Sequence, residues 1–387
     1  MPNTKFNLET LARRNIRALV PYRCARDDYD SGVLLDANEN PHGPALKTNQ
    51  EESEYSLNRY PDPRQNFVKQ LLCDLRNAER QVPKPITPDN IFMGVGSDEA
   101  IDALIRCFCV PGKDKLLTCP PTYGMYSVSA QINDVGITKV PLAADFSLRP
   151  DAIIEALNAD PTIKLLYICS PGNPTAKLVD EADVRKVLDA DWNGVVVVDE
   201  AYIDFTQEGA SVSTLVNEFP NLVVMQTLSK SFGLAGVRAG FTFSSVEIAA
   251  LLNNMKAPYN ISTPAAEFAA RALSAEGVKL MKSYTKDILE QRERIIDALP
   301  GIEGVGRVIG GLDANFLLFE ILNKAGEPDT ELAFKVYEQL AESRDVVVRF
   351  RGKEPGCAGA LRVSIGTKTE TDVLLDQLKQ AIAALRQ

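Results

Sequence analysis

Between residues 90 and 245 the chain alternates short apolar runs with segments of helical period. The runs are IFMGVG (91–96), KLLTCPP (115–121), TKVPLA (138–143), IKLLYIC at the start of 163–175, GVVVVDEAY (194–202), NLVVMQTLSK (221–230) and AGFTF (239–243). The valine run in 194–202 leaves no polar face, which predicts a strand covered on both sides in a parallel sheet. Between the runs, SDEAIDALIRCFCV (97–110), TYGMYSVSAQIND (122–134), DAIIEALNA (151–159) and DEADVRKVLDA (180–190) read as helices. The first of them has Ser97 placed as N-cap and acidic residues in its opening turn. Strands and helices in alternation predict an α/β domain with a mostly parallel central sheet.

The flanks differ. Residues 1–30 read as an arm with a short helix near Leu8–Ala18, followed by the turn-rich LDANENPHGPA (35–45). NRYPDP (58–63) is kept extended at Tyr60 and Asp62 by the prolines that follow them, and a helix is expected over Arg64–Asn77. After residue 262, STPAAEFAARALSA and KLMKSYTKDILEQRERIIDALP form one or two long helices, with Gly277 as the expected break. Then come strand ANFLLFEI (314–321), helix ELAFKVYEQLAES (331–343), strands DVVVRF (345–350) and ALRVSIG (360–366), and helix TETDVLLDQLKQAIAAL (369–385). The expected division is an arm at 1–34, a large domain at 35–262, an interdomain helical region at 263–299 and a smaller α+β C-terminal domain at 300–387. A chain of 387 residues exceeds most single cores, which agrees with two domains.

Composition narrows the function classes. A net charge of −10 argues against a nucleic-acid or anionic-membrane surface, while leaving room for a local basic pocket. The seven cysteines are odd in number and form no CxxC pair, so a reducing, cytoplasmic compartment is expected, without disulfides or structural zinc. A single histidine, His42, leaves no basis for a histidine metal cluster or triad; it is expected to be structural or solvent-facing. No apolar run reaches membrane-spanning length, and the N-terminus lacks a signal core. The charges of KSYTKDILEQRERI read as a solvated helix face.

In an open α/β sheet, chemistry collects where strands end. Those positions hold Ser97, Asp98, Tyr123, Asn173, Asp199 with Tyr202, and Lys230 with Arg238. On local pattern alone, Asp199 caps a helix while Tyr202 packs, or the pair holds a heteroaromatic ring, carboxylate to ring nitrogen and phenol to ring oxygen. Lys230 can condense with an aldehyde. Ser229, Arg238 and the backbone N–H groups of the 96–99 turn can hold a phosphate. Ring nitrogen, ring oxygen, aldehyde and phosphate together describe pyridoxal 5'-phosphate. A dinucleotide fits worse, because Gly94-x-Gly96 lacks the third glycine, and there is no GxxxxGK[ST] loop for ATP. Arg349 and Arg362 lie on apolar strands, either as edge residues paired with glutamates or as binders of anionic substrate groups.

The segment TLSKSFG (227–233), with Gly236 and Arg238, resembles the lysine-attachment signature of class II pyridoxal-phosphate aminotransferases of fold type I. LDANENPHGP, NRYPDP, GVGSDEAID, CPPTYGMY, NPT (173–175), VVVVDEAYIDF and RFRGKEPGCAGALRVSIGT narrow the resemblance to the histidinol-phosphate aminotransferase family, from residue 35 to 367. The resemblance implies that Lys230 is the cofactor's point of attachment and that Asp199 pairs with the ring nitrogen. Tyr202 and Asn173 would contact the ring oxygen, and Tyr123 would stack on the ring. Ser97, Asp98, Thr227, Ser229 and Arg238 would surround the cofactor phosphate. Tyr60 would reach the neighbouring subunit's site, which makes a homodimer with shared active sites. Arg362 would clamp a substrate carboxylate, with Tyr22, Asn38 and Arg349 also on the substrate side. The implied reaction moves an amino group between L-histidinol phosphate and 2-oxoglutarate, with glutamate as the other amine, in histidine biosynthesis. Rivals of the same fold are a threonine-phosphate type decarboxylase and an aromatic aminotransferase; an effector-binding module would need a basic DNA-binding domain. The family usually has glycine after Asn-Pro-Thr where this chain has Ala176, and alanine tolerates a positive φ less well.

Overall fold

The computed structural model describes residues 3–25, 28, 35–47, 49 and 55–386, so residues 1–2, 26–27 and 29–34 of the expected arm lie outside it. The strands are β1 (Ile91–Val95), β2 (Lys115–Thr118), β3 (Gly136–Lys139), β4 (Ile163–Cys169), β5 (Val195–Asp199), β6 (Leu222–Thr227), β7 (Ala239–Ser244), β8 (Val305–Ile309), β9 (Phe316–Ile321), β10 (Arg349–Phe350) and β11 (Ala360–Ser364). The first seven form one sheet in the order β1-β7-β6-β5-β4-β2-β3. All its pairings are parallel except those of β7, which runs antiparallel to β1 and β6. The last four form an antiparallel sheet in the order β10-β11-β9-β8. The α/β expectation holds.

The valine run shows why β5 carries no polar face. Its side chains alternate, so Val196 and Val198 join one apolar layer with Leu222, Val224, Phe241 and Phe243. Val195 and Val197 join the opposite layer with Leu165, Tyr167, Val223 and Met225. Each valine is at most 1% exposed, and burying such a side chain fully stabilises by about 1.5–3 kcal/mol.

Several elements differ from the expectation, each for a local reason. The helix after β1 spans Gly96–Phe108, and Ser97 does not cap it. Gly96, at φ +71°, turns the chain directly from strand into helix, and the Glu99 carboxylate accepts the Val95 N–H at 2.5 Å. A Cβ on Gly240 would stand 2.7 Å from the Gly96 carbonyl oxygen, so the close approach of β7 to this turn requires glycine. The break in the long C-terminal helices falls at Ser274, which ends Thr263–Leu273 and caps Ala275–Ala298 by accepting the Gly277 N–H at 3.2 Å. Gly277 sits within the first turn, where a side chain would collide with the Arg271 and Ala272 carbonyls. The arm helix splits into Leu8–Leu11 and Arg14–Arg17. The expected strand at 345–350 shrinks to two residues, preceded by Asp345 at φ +53°. The helix Val246–Met255 and strand β8 have no counterpart in the sequence reading.

The two sheets meet at the turn after β4. Gly311 N–H donates to the Thr175 carbonyl and Asp313 N–H to the Ala176 carbonyl, both at 2.8 Å. Leu178 N–H donates to Asp313 Oδ2 at 2.9 Å. Ala176 adopts φ +52° and is fully buried, its methyl packed with Tyr202, Phe205, Ala314 and Phe316. The left-handed conformation costs an L-residue roughly 1–2 kcal/mol. Glycine would relieve that, but it forfeits a buried methyl worth about 0.8 kcal/mol and gains roughly 0.5–1 kcal/mol of unfolded-state entropy. We therefore expect Ala176→Gly to shift stability by less than about 1 kcal/mol, and Ala176→Val to destabilise by roughly 3 kcal/mol or more through strain and overpacking, as read from urea midpoints.

Candidate active site

Parallel strands end at the same edge of the sheet, and β4, β5 and β6 deliver their C-terminal residues there. Ser97, Asp98, Tyr123, Asn173, Asp199, Tyr202, Thr227, Ser229, Lys230 and Arg238 line one cleft of ≈ 220 Å³, together with Cys169, Ala201 and Ala235. Residues spread over some 140 positions of the chain are thus brought to one place by the topology alone.

Asp199 forms the floor, only 3% exposed. Its Oδ2 accepts a hydrogen bond from Tyr126 Oη at 2.6 Å and its Oδ1 accepts the Ala201 N–H at 3.2 Å. Burial pushes the carboxyl up to about 6; the two hydrogen bonds and the Lys230 charge only partly oppose it. Tyr126 is fully buried and stacks on Tyr167 with ring centroids 4.7 Å apart. Sequence reasoning singled out Tyr123 and missed Tyr126. The available signal was the spacing of three, which puts both rings on one side of the helix start, where they meet edge to face at 5.6 Å.

Lys230 stands at the mouth, Nζ 5.6 Å from the centre of the Tyr202 ring. Partial burial and the Arg362 charge lower its amine. Tyr202 is 8% exposed and packs edge-on against Phe316 of β9; burial raises its phenol. Asn173 Oδ1 accepts from Arg362 Nη1 at 2.5 Å, and the guanidinium lies over the Phe316 ring at 5.1 Å. Arg362 therefore reaches the Asn173 wall of the cleft from the second sheet, and its buried Nε meets no acceptor among the described residues. On one wall, Thr227 Oγ1 and Ser229 Oγ lie 2.9 Å apart, and Arg238 Nη2 is 3.6 Å from Asp98 Oδ2.

Five residues of the sequence reading do not line this cleft; one of them, Arg362, meets it through its contact with Asn173. Tyr60 stacks on Tyr259 with centroids 4.6 Å apart, and Tyr22 meets the same ring edge-on at 5.6 Å. Asn38 is exposed at φ +56° in a loop tied to 58–60 through Glu39, which accepts from Arg59 and from the Tyr60 N–H, both at 2.7 Å. Arg349 is exposed, directly across from Arg362 in the β10–β11 pair.

A buried polar network under the lysine turn was also missed. Glu200 accepts from Ser211 Oγ (2.6 Å), Val212 N–H (2.7 Å) and Gln226 Nε2 (2.7 Å). Arg76 joins Gln226 at 2.9 Å to Asp204 at 2.7 Å, and Asp204 accepts from Ser231 Oγ at 2.5 Å. The residue after Lys230 is thus anchored from below. Strand alternation sends Glu200 to the side opposite Asp199; the adjacent acids at the end of the valine run were the only hint.

The model of the family "Aminotransferase class I and II" matches residues 30–378, which defines the class. The chain is 55% identical over 377 residues to the histidinol-phosphate aminotransferase of Schizosaccharomyces pombe, covering 97% of each, and 51% identical to that of Candida maltosa, covering 99% of this chain and all of the relative. The fold resembles the crystal structure of histidinol-phosphate aminotransferase from Sinorhizobium meliloti in complex with pyridoxal-5'-phosphate, at a TM-score of 0.76, 23% identity and 90% coverage of both chains. This chain belongs to the class I and II aminotransferases and, within them, to the histidinol-phosphate aminotransferase family.

Two outcomes follow from the floor of the cleft. Asp199 has a raised folded-state pKa, so between its ordinary 3.8 and about 6 the folded state binds more protons than the unfolded. Stability therefore falls as pH rises through that window, and above it the carboxylate costs about 3 kcal/mol. Asp199→Asn should raise the melting temperature of the cofactor-free protein at pH 8 and do so much less at pH 4. Tyr126→Phe removes a hydrogen bond to a charged group, worth about 1.5–3 kcal/mol, or one to two pKa units. The acid limb of the kcat/KM profile should move up by about one unit.

Proposed function

We propose that the chain transfers an amino group between L-histidinol phosphate and 2-oxoglutarate, with pyridoxal 5'-phosphate in the Lys230 cleft, as a step of histidine biosynthesis. The observation that carries this reading is the buried Asp199 carboxylate beneath the Lys230 amine, with Arg362 anchored on Asn173 beside them. The residues fit the cofactor group by group. Asp199 is a buried anion suited to a ring N–H, and Tyr202 and the Asn173 amide suit the ring oxygen. Lys230 suits the aldehyde, Tyr123 a ring face, and the hydroxyls of Ser97, Thr227 and Ser229 with Arg238 the phosphate, beside Asp98.

When bound, the protonated ring supplies an electron sink for the bond broken at the substrate Cα. Asp199 holds the proton on the ring nitrogen, which its own desolvation favours. Burial and the Arg362 charge lower the Lys230 amine, which favours the neutral base that would take a proton from the substrate Cα and return it elsewhere. Arg362 binds the anionic end of either substrate, and its planar fork suits carboxylate and phosphate alike. Arg349, across the strand pair, adds a second positive charge on the substrate side, with Tyr22 and Asn38. Tyr60, exposed on its own chain, reaches the site of a second copy in a homodimer. The seven free thiols support a cytoplasmic setting, and among the described residues no helix is long and apolar enough to cross a membrane.

With cofactor supplied, L-histidinol phosphate should bleach the visible absorption of the protein and 2-oxoglutarate should restore it, with glutamate formed in equal amount. Lys230→Ala should abolish the cycle, and Arg362→Lys should lower kcat/KM by roughly 30–1000-fold, the cost of breaking a buried charge contact. Release of carbon dioxide from phosphothreonine without amino transfer would replace this reading with a decarboxylase.

A further inference from the structure

Among the described residues the Lys230 amine has no hydrogen bond and no ion pair, only the Tyr202 ring at 5.6 Å. Where it points is therefore set by the backbone that carries it. That backbone is a tight turn above the buried Leu228. The Gly233 N–H donates to the Lys230 carbonyl and the Leu234 N–H to the Leu228 carbonyl, both at 3.0 Å. Gly233 takes φ +66° to close it.

Ser231 ties the turn to the scaffold beneath, its side chain directed inward and 5% exposed. The hydroxyl donates to Asp204 Oδ2 at 2.5 Å, a charge-assisted contact stronger than a neutral one. Asp204 lies in the short helix Ile203–Phe205, directly after Tyr202 on the segment that leaves Asp199. One carboxylate thus joins the segment carrying the floor and wall of the cleft to the turn carrying the amine. Asp204 is held in turn by Arg76 of the helix Asn66–Glu79, whose Nη2 donates to Oδ1 at 2.7 Å. Arg76 is 4% exposed, and its other nitrogens donate to Gln226 at 2.9 Å and to Glu79 at 3.0 Å. Its position is therefore determined from three sides.

A buried ion pair is a poor source of stability, since apolar groups of the same volume often do as well or better. What it supplies is direction, because a guanidinium fork and a carboxylate orient each other. We propose that Arg76, Asp204 and Ser231 are positioning residues, a chain of contacts that aims the Lys230 amine at the substrate Cα. The inference rests on the transamination reading for the proton moved there. None of the three lines the Lys230 cleft, so each acts through the turn and not on the substrate. A misplacement of ~1 Å at reacting atoms costs on the order of 100-fold in rate, which sets the scale of the effect.

The test is the half-reaction of the cofactor-saturated protein with L-histidinol phosphate, followed by rapid mixing as loss of visible absorption. Its rate constant at saturating substrate belongs to each loaded site, so a variant that merely unfolds more leaves it unchanged. Ser231→Ala should lower that constant roughly 10–100-fold, with the substrate dissociation constant within about twofold of wild type. Asp204→Asn removes the charge that both contacts use and should slow the step likewise. The double variant should fall no more than about twofold below Ser231→Ala, because the two residues act as one unit. Ser211→Ala is the control. It removes hydrogen bonds to Glu200 and Gln226 in the same buried network, and should lower the melting temperature while leaving the constant within about twofold. In the full chain before cofactor is added, amide hydrogen exchange over 229–234 should quicken roughly tenfold in Ser231→Ala, with β5 and β6 unchanged. The proposal is overturned if Ser231→Ala keeps the wild-type constant, if Ser211→Ala slows the step as much, if the two losses multiply, or if the turn exchanges at the wild-type rate. Failure of the wild type to bleach removes the transamination reading instead, and the exchange comparison then decides the anchor by itself.

Discussion

The structure depends on one electrostatic constraint, a carboxylate at the end of a strand buried on both faces. Asp199 can be ionised there only at a cost, because the apolar layers on either side of β5 exclude water from everything except the cleft. Tyr126 and the Ala201 N–H offset part of that cost and leave the remainder for a cationic partner arriving from the open side. The sheet that makes the site rigid is therefore also what makes its central charge demand a ligand. Its neighbour Glu200, raised by burial to about 7, faces the other side and is satisfied internally by Ser211, Val212 and Gln226. One acid faces the cleft, and the other holds the scaffold.

The second unit completes what the first begins. Arg362 comes to the wall of the cleft from β11, and its contact with Asn173 links the two sheets at the same point where the 310–313 loop clasps the 172–178 turn. Tyr202 and Phe316 pack across that seam, with the Ala176 methyl between them. Position of the arginine and conformation of the cofactor-side turn are consequently coupled. A change in either is transmitted to the other through a handful of short contacts.

Much of this was legible in the sequence wherever a residue's role is local. Four valines in a row report burial on both faces, and a lysine among small residues after a strand reports an amine placed at an opening. What escaped were contacts that depend on distant segments. Tyr126 gains its meaning only because β5 brings Asp199 beneath it, and Arg76 only because Gln226 and Asp204 arrive from more than 120 positions away. The Ser274 break escaped because Gly277 is the more conspicuous residue, whereas the steric need of glycine there arises from carbonyls of the preceding helix. Tyr22, Tyr60 and Asn38 were placed by resemblance and Arg349 also by its apolar strand, and none of the four lines the cleft of its own chain.

The most direct test is a pH titration of the Asp199 side-chain carboxyl by carbon-13 NMR in cofactor-free protein labelled at aspartate, with Asp199→Asn used to assign the resonance. The account predicts a midpoint of about 6, moving sharply downward when the cofactor is added and its ring nitrogen supplies the missing positive charge. A midpoint near the ordinary aspartate value of 3.8, unmoved by cofactor, would mean that the carboxylate is already satisfied without a ligand, and would contradict the account at its base.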